Sequence, residues 1–101
     1  MKIITICGSS KFKQQMIEVG EKLTLEGNCV LMPNELTRSN KECYSQSEAS
    51  MFDKMHKEKI KLSDAILVVD VDGYIGNSTK SEIEHAKALG KEIIYYRDSL
   101  L

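Results

Sequence analysis

The sequence predicts an α/β fold, a Rossmann-like three-layer sandwich on a parallel sheet of four strands, βαβαβαβ, in the order 2-1-3-4. Three observations lead there. Short apolar runs alternate with helical periods along the whole chain, the pattern of successive βαβ units with right-handed crossovers. The runs over 2–7 and 65–71 are apolar almost without alternation, as strands covered on both faces must be. The stretch over 70–91, DVDGYIGNSTKSEIEHAKALGK, carries the chain from its strongest strand through a glycine-bearing loop into a helix. In open α/β sheets that arrangement sets free backbone N–H groups at the carboxyl edge, where ligands settle.

The elements follow in order. Ile3, Ile4 and Ile6 mark the first strand, which ends at Gly8, Ser9 and Ser10. Phe12, Met16, Val19 and Leu23 lie on one face of a helix over 11–26, stopped by Gly27 and Asn28. A second strand over 28–32 is closed by Pro33, which removes a backbone donor. Residues 35–50 are polar, include Thr37, Ser39, Asn40, Ser45, Ser47 and Ser50, and hold no apolar period; they read as a loop or a frayed helix, of a length that often serves as an active-site lid. Met51, Met55 and Ile60, with Phe52 nearby, indicate a helix over 48–62 whose methionines are expected in the core. The third strand, over 65–71, leads to a helix that opens near Ser78 or Thr79, turns Ile83, Ala86 and Leu89 inward and stops at Gly90. A fourth strand spans 93–96, and the four residues after Arg97 are too few for a closing helix.

With 101 residues the chain is expected to be one domain, 1–101, small enough that a homodimer would help it bury surface. Its 14 basic and 15 acidic residues give no electrostatic footprint for nucleic acid or a membrane surface. The opening residues read as a strand and not as a signal peptide, and no run is long and apolar enough to span a bilayer, so the expected location is the cytoplasm. Cys7, Cys29 and Cys43 are odd in number and far apart, and read as free thiols, with Cys7 a small buried residue at a strand end. His56 and His85 are too distant for a helical metal pair, so neither metal nor cofactor is expected. G-x-G-x-x-G and G-x-x-x-x-G-K-[ST] are both absent.

In a parallel sheet the loops after successive strands share one end, so residues 8–11, 33–34 and 70–79 should converge on a pocket. Gly8 allows close backbone approach, and Ser9 and Ser10 offer hydroxyls, either to a ligand or as a helix N-cap. Asp70 and Asp72 suit the turn at Gly73. Glu82 enters the first turn of the following helix. There Thr79-Lys80-Ser81-Glu82 also has the pattern of a capping box, in which Glu82 would bond back to Thr79.

Cys7-Gly8-Ser9 after the first strand, Ser63-Asp64 before the third, and the run from Glu82 to Lys91 resemble the nucleoside 2-deoxyribosyltransferase-like superfamily, which includes deoxynucleoside monophosphate N-glycosidases. His56-Lys57-Glu58-Lys59-Ile60 and the loop from Gly73 to Thr79 are similar to a small uncharacterised branch of it. The resemblance implies a nucleoside or nucleotide ligand and a catalytic glutamate at Glu82, whose carboxylate attacks C1′ of a deoxyribosyl unit and expels the base. A covalent glycosyl-enzyme results, which water or another base resolves. It further implies nucleotide contacts at Gly8, Ser9 and Ser10, and sugar or phosphate contacts from Asp72, Gly76, Asn77, Ser78 and Thr79. Where the family carries an aspartate eight residues before the acid that begins the third strand, this chain has His56, a candidate to orient Glu82 or donate a proton. The alternative expectation is a nucleotide-binding or sensing domain of the same fold without turnover. A basic phosphate clamp would fall to Lys11 and Lys13.

Overall fold

In the computed structural model, which describes residues 1–38 and 41–99, the chain forms β1 (Ile3–Gly8), α1 (Lys13–Leu25), β2 (Cys29–Leu31), α2 (Gln46–Leu62), β3 (Ala65–Val69), α3 (Asn77–Ala88), β4 (Glu92–Tyr95) and a one-turn α4 (Tyr96–Ser99). The strands make one parallel sheet in the order β2-β1-β3-β4, the order expected from the sequence.

Side-chain alternation along the two central strands divides the core. Ile4 and Ile6 of β1 and Ala65, Leu67 and Val69 of β3 face α1, where Met16 and Val19 meet them. Cys7, Ile66 and Val68 point to the opposite face and pack on Ile60 of α2 and on Ile83 and Ala86 of α3. All of these side chains are buried, and at about 1.5–3 kcal/mol for each large aliphatic one removed from water, the central strand pair is the main source of stability. Buried polar groups at its base are satisfied: Thr5 and Ser63 share a hydrogen bond, and Ser63 Oγ donates to the Lys59 carbonyl at 2.8 Å; beside them the exposed Asp64 accepts from the Ile3 N–H through Oδ2 at 2.8 Å. The Ser63-Asp64 pair therefore ties β1 to the end of α2.

Several boundaries differ from expectation, each for a local reason. α2 opens at Gln46 because Ser45 and Glu48 form a capping box: the Glu48 N–H donates to Ser45 Oγ at 3.1 Å and the Ser45 N–H to Glu48 Oε1 at 2.8 Å. Much of the polar segment before it is thus structured, with a 3-10 turn at Lys41–Cys43; Ser39 and Asn40 lie outside the described residues. α3 opens at Asn77 with Gly76 as its N-cap, so Thr79 to Glu82 lies inside the helix and the capping box expected there does not form. On α2 the buried residues are His56 and Ile60, four apart on one face. Met51 and Met55 lie off that face and are 52% and 39% exposed, not core. Leu89, also expected inward, is 41% exposed at the C-cap of α3. β3 stops at Val69 because Val71–Gly73 makes a 3-10 turn in which Asp72 takes a left-handed φ of 54°.

The one-turn α4 was not expected. Asp70, fully buried, accepts from the Arg97 N–H at 3.2 Å and faces Arg97 Nε at 3.2 Å. Those contacts dock the chain beyond β4 against the end of β3.

Ser45→Ala removes a reciprocal cap at the start of α2 and is expected to cost about 1 kcal/mol of stability, read as a lowered midpoint in urea denaturation with an unchanged slope.

Candidate functional site

β2 and β3 lie on opposite sides of β1, so the chain leaves β1 and β3 in opposite directions and a crevice opens between their carboxyl ends. Gly8 pairs with Val69 at that point. A Cβ there would stand 3.2 Å from the Val69 Cβ and carbonyl oxygen and 3.3 Å from Met16 Sδ. Gly8 therefore suits the close packing of α1 and β3 beneath the crevice, where a larger residue would make its neighbours give by a few tenths of an ångström. The cleft above has a volume of about 840 Å³ and includes Gly8, Ser10, Phe52, His56, Ser78 and Glu82 among its walls, a size suited to a small organic ligand.

Its outer wall is the segment after β2. Lys59 of α2 holds that segment by donating to the Met32 carbonyl at 2.8 Å and to Asn34 Oδ1 at 2.7 Å. Farther along, the Arg38 guanidinium lies 4.6 Å from the centre of the Tyr44 ring and donates to Glu48 Oε1 at 3.2 Å. Tyr44 in turn meets Phe52 edge to face at 5.2 Å. Arg38, Tyr44 and Phe52 all line the cleft, and only Phe52 stood out in the sequence. An isolated Arg and Tyr in a polar segment carry no periodic signal.

The inner end of the cleft is polar and buried. His56 reaches it from α2 and Glu82 from the second turn of α3, each 8% exposed, and Cys7 from β1 is fully buried. His56 Nε2 lies 3.5 Å from Cys7 Sγ and 3.8 Å from Glu82 Oε1. Beside this contact Lys57 Nζ donates to Ser81 Oγ at 2.9 Å, a clamp between α2 and α3 one residue from each side chain. Burial, the adjacent Glu82 charge and a hydrogen bond with Glu82 push the Cys7 thiol well above its ordinary value, so the thiol keeps its proton. The His56 pKa is pushed down to about 4, first by burial and then by the Lys59 charge, against the pull of the Ile6 backbone and the Asp53 carboxylate. His56 is therefore neutral at pH 7, and its contact with Glu82 is polar, not ionic. Both neighbours face the same ring nitrogen, so there is no relay from thiol through ring to carboxylate, and Cys7 lacks the geometry of an activated nucleophile.

Of the candidates from the sequence, Glu82, His56, Gly8, Ser10 and Ser78 meet at the cleft. Ser9 instead caps the 3-10 turn at Ser10–Phe12, accepting from the Lys11 N–H at 3.4 Å. Gly76 caps α3 and Asn77 opens it, exposed, while Thr79 is buried in its first turn. Asp72 borders a separate depression with Val71, Gly73, Tyr96 and Arg97, because the left-handed turn carries it toward α4. Lys13 lines the cleft, whereas Lys11 Nζ rests 3.4 Å from the centre of the Tyr74 ring. No metal set was visible in the sequence, yet the fold gathers Cys7, His56 and Glu82 with one ligand atom from each within 4.8 Å of the others. No helix of the described residues is long and apolar enough to cross a membrane.

The buried neutral imidazole makes stability depend on pH. Between the ordinary 6.5 and about 4 the unfolded chain binds a proton at His56 that the folded chain does not, so stability rises with pH across that window. The contribution is complete above pH 6.5 and is lost on acidification to about pH 4, a change on the order of 2–3 kcal/mol. Urea midpoints at a series of pH values, with chelator present, should fall across this window in the parent and fall less in His56→Gln.

No protein-family model and no curated protein matches the sequence. Among solved structures, a 2-desoxiribosyltransferase from Leishmania mexicana superposes with a TM-score of 0.70 at 19% identity, over 95% of this chain and 64% of that one. A conserved protein from Enterococcus faecalis V583 does so with a TM-score of 0.70 at 19% identity, over 94% of this chain and 62% of that one. The chain thus spans less than two thirds of the length of either. The fold inferred from the strand order and from the residue runs at Cys7, Ser63 and Glu82 is the fold these two proteins share.

Proposed function

We propose that the protein cleaves the N-glycosidic bond of a nucleoside or nucleotide, with Glu82 as the nucleophile. The observation that carries this reading is the position of Glu82, a buried carboxylate on the wall of a cleft of about 840 Å³ at the reversal point of the sheet. Likeness of fold to a 2-desoxiribosyltransferase supports the substrate class.

In this reading the carboxylate attacks C1′ as the bond to the base breaks, and its charge stabilises the oxocarbenium-like transition state. The base leaves with the bonding electron pair and takes up a proton. Water then adds to C1′ and releases Glu82, so that substrate and water give sugar and free base. His56, neutral at pH 7, is assigned a positioning part: its ring fills the space beside the carboxylate and limits its rotation. Phe52 and Tyr44 offer aromatic faces to a base, and Ser10, Lys13 and Ser78 offer polar contacts to sugar or phosphate. We further propose that the chain acts as a homodimer in the cytoplasm, where its free cysteines suit a reducing compartment.

One observation favours a second reading, binding without turnover: the hydrogen bond between the Cys7 thiol and Glu82 draws electron density from the attacking carboxylate. The two readings part in one experiment. The full chain is incubated with a panel of nucleosides and nucleotides in the presence of chelator, and free base is followed by chromatography. The glycosidic reading expects release with at least one member and a fall to buffer background in Glu82→Ala. Absence of release above that control across the panel overturns it, and tight calorimetric binding unchanged in Glu82→Gln then supports the binding module.

A further inference from the structure

We infer that Cys7, His56 and Glu82 form a binding site for a divalent transition-metal ion of the zinc type. The inference stands apart from the glycosidic reading, because it concerns what the three side chains hold and not what the protein cleaves.

The geometry is the first ground. A tetrahedral zinc ion bound at about 2.3 Å to sulfur, 2.0–2.1 Å to nitrogen and 2.0–2.2 Å to oxygen sets its ligand atoms roughly 3.3–3.6 Å apart. Cys7 Sγ to His56 Nε2 measures 3.5 Å, an edge of that size, and His56 Nε2 to Glu82 Oε1 measures 3.8 Å, a few tenths longer. The remaining edge is within 4.8 Å, and side-chain rotations of roughly an ångström would close it. The single nitrogen that faces both neighbours, useless for a proton relay, is the arrangement a shared central ion needs.

The donor set is the second ground. A thiolate, an imidazole and one carboxylate select zinc or a similar borderline ion over magnesium or calcium, which prefer oxygen alone. Binding displaces the Cys7 thiol proton to solvent and involves no change of oxidation state. The thiolate and the carboxylate then cancel the double charge of the ion, which suits a buried site where net charge is costly. His56 would coordinate through Nε2, the ring nitrogen that faces both other ligands.

Access is the third. His56 and Glu82 line the cleft while Cys7 lies beneath them, so an ion enters from the cleft, and its fourth position opens back toward the cleft. Three protein ligands and one open position are the pattern of an exchangeable or reactive centre, not of a closed structural one. With the ion in place Glu82 is engaged as a ligand.

The test uses cobalt(II) as the probe, added to the reduced, chelator-treated full chain in a Cys29→Ser, Cys43→Ser background, which removes the two exposed thiols. The expected result is one cobalt per chain, with a near-ultraviolet thiolate-to-cobalt charge-transfer band, intense visible bands of a four-coordinate ion, and displacement by zinc. Cys7→Ser should abolish the charge-transfer band. Because Cys7 is fully buried, a second variant guards against misfolding: Glu82→Gln, on the cleft wall, should keep its circular dichroism and the thiolate band but weaken binding at least about tenfold, the least that disturbing a ligand shell costs. Absence of the near-ultraviolet band in the parent, or full affinity in Glu82→Gln, overturns the site. Base release is measured with chelator, so it stands or falls separately.

Discussion

Close pairing of β1 with β3 is the constraint on which the rest of the structure depends. Five residue pairs, from Ile4 with Ala65 to Gly8 with Val69, run in parallel register through the centre of the sheet. At the final pair a Cβ on the β1 partner would crowd Val69 and Met16 at 3.2–3.3 Å. Because β2 joins β1 on its other edge, the chain must cross over β1 by way of α2 to reach β3, and must leave β3 by way of α3. α2 and α3 consequently pack on the same face, and that is the face to which Cys7 points. The meeting of three residues so distant in sequence follows from register and crossover, with no further device required.

That meeting runs against the ordinary chemistry of a core. Along the α2 and α3 face the lower positions are occupied by Ile60, Ile66, Ile83 and Ala86, and at the carboxyl end the apolar series gives way to Cys7, His56 and Glu82. The Cys7 thiol packs there as a small apolar group, but an imidazole and a carboxylate at such depth are unfavourable for packing alone. The opposite face continues apolar to its end, with Met16 and Val69 under Gly8. The cleft thus lies between an apolar face, where Met16 of α1 lines it, and a face that ends in His56 and Glu82. Departures of this kind from local consistency concentrate where a protein acts on a ligand.

Much of the architecture was legible in the sequence. Ile66 to Val69 read as a central strand and Met16 and Val19 as one face of a helix, so a parallel sheet covered by helices on both faces was expected. What escaped has identifiable causes. The inward line of α2 carries a histidine at one of its few buried positions, and the apolar period therefore shifted by one residue onto Met51 and Met55. Two S/T-x-x-E patterns compete in the chain. The one at Ser45 caps a helix, whereas the one at Thr79 is overridden because the N-cap falls three residues earlier, at Gly76. Cys7, His56 and Glu82 share no local spacing, and a cluster assembled by crossover leaves no motif. Glu82 stood out by its place at a helix entry beside the converging loops, and likeness to a known family added the expectation of a catalytic role.

The opening of α3 at Asn77 carries a consequence for Glu82. A glutamate in the first turn would be held by the backbone N–H groups of the helix start, its charge spent on the cap. Beginning the helix at Asn77 moves Glu82 to the second turn, where those N–H groups are already engaged within the helix. Its carboxylate lies beside a protonated thiol and a neutral imidazole. A sugar carbon undergoing attack and a divalent ion would each take the place of the same thiol proton at the same oxygen atoms. The features that fit the residue for one partner, a buried carboxylate on the wall of a cleft, fit it equally for the other. On the two proposals above, a sugar carbon and a divalent ion would compete for this single carboxylate, beside which the Cys7 thiol and the His56 ring stand.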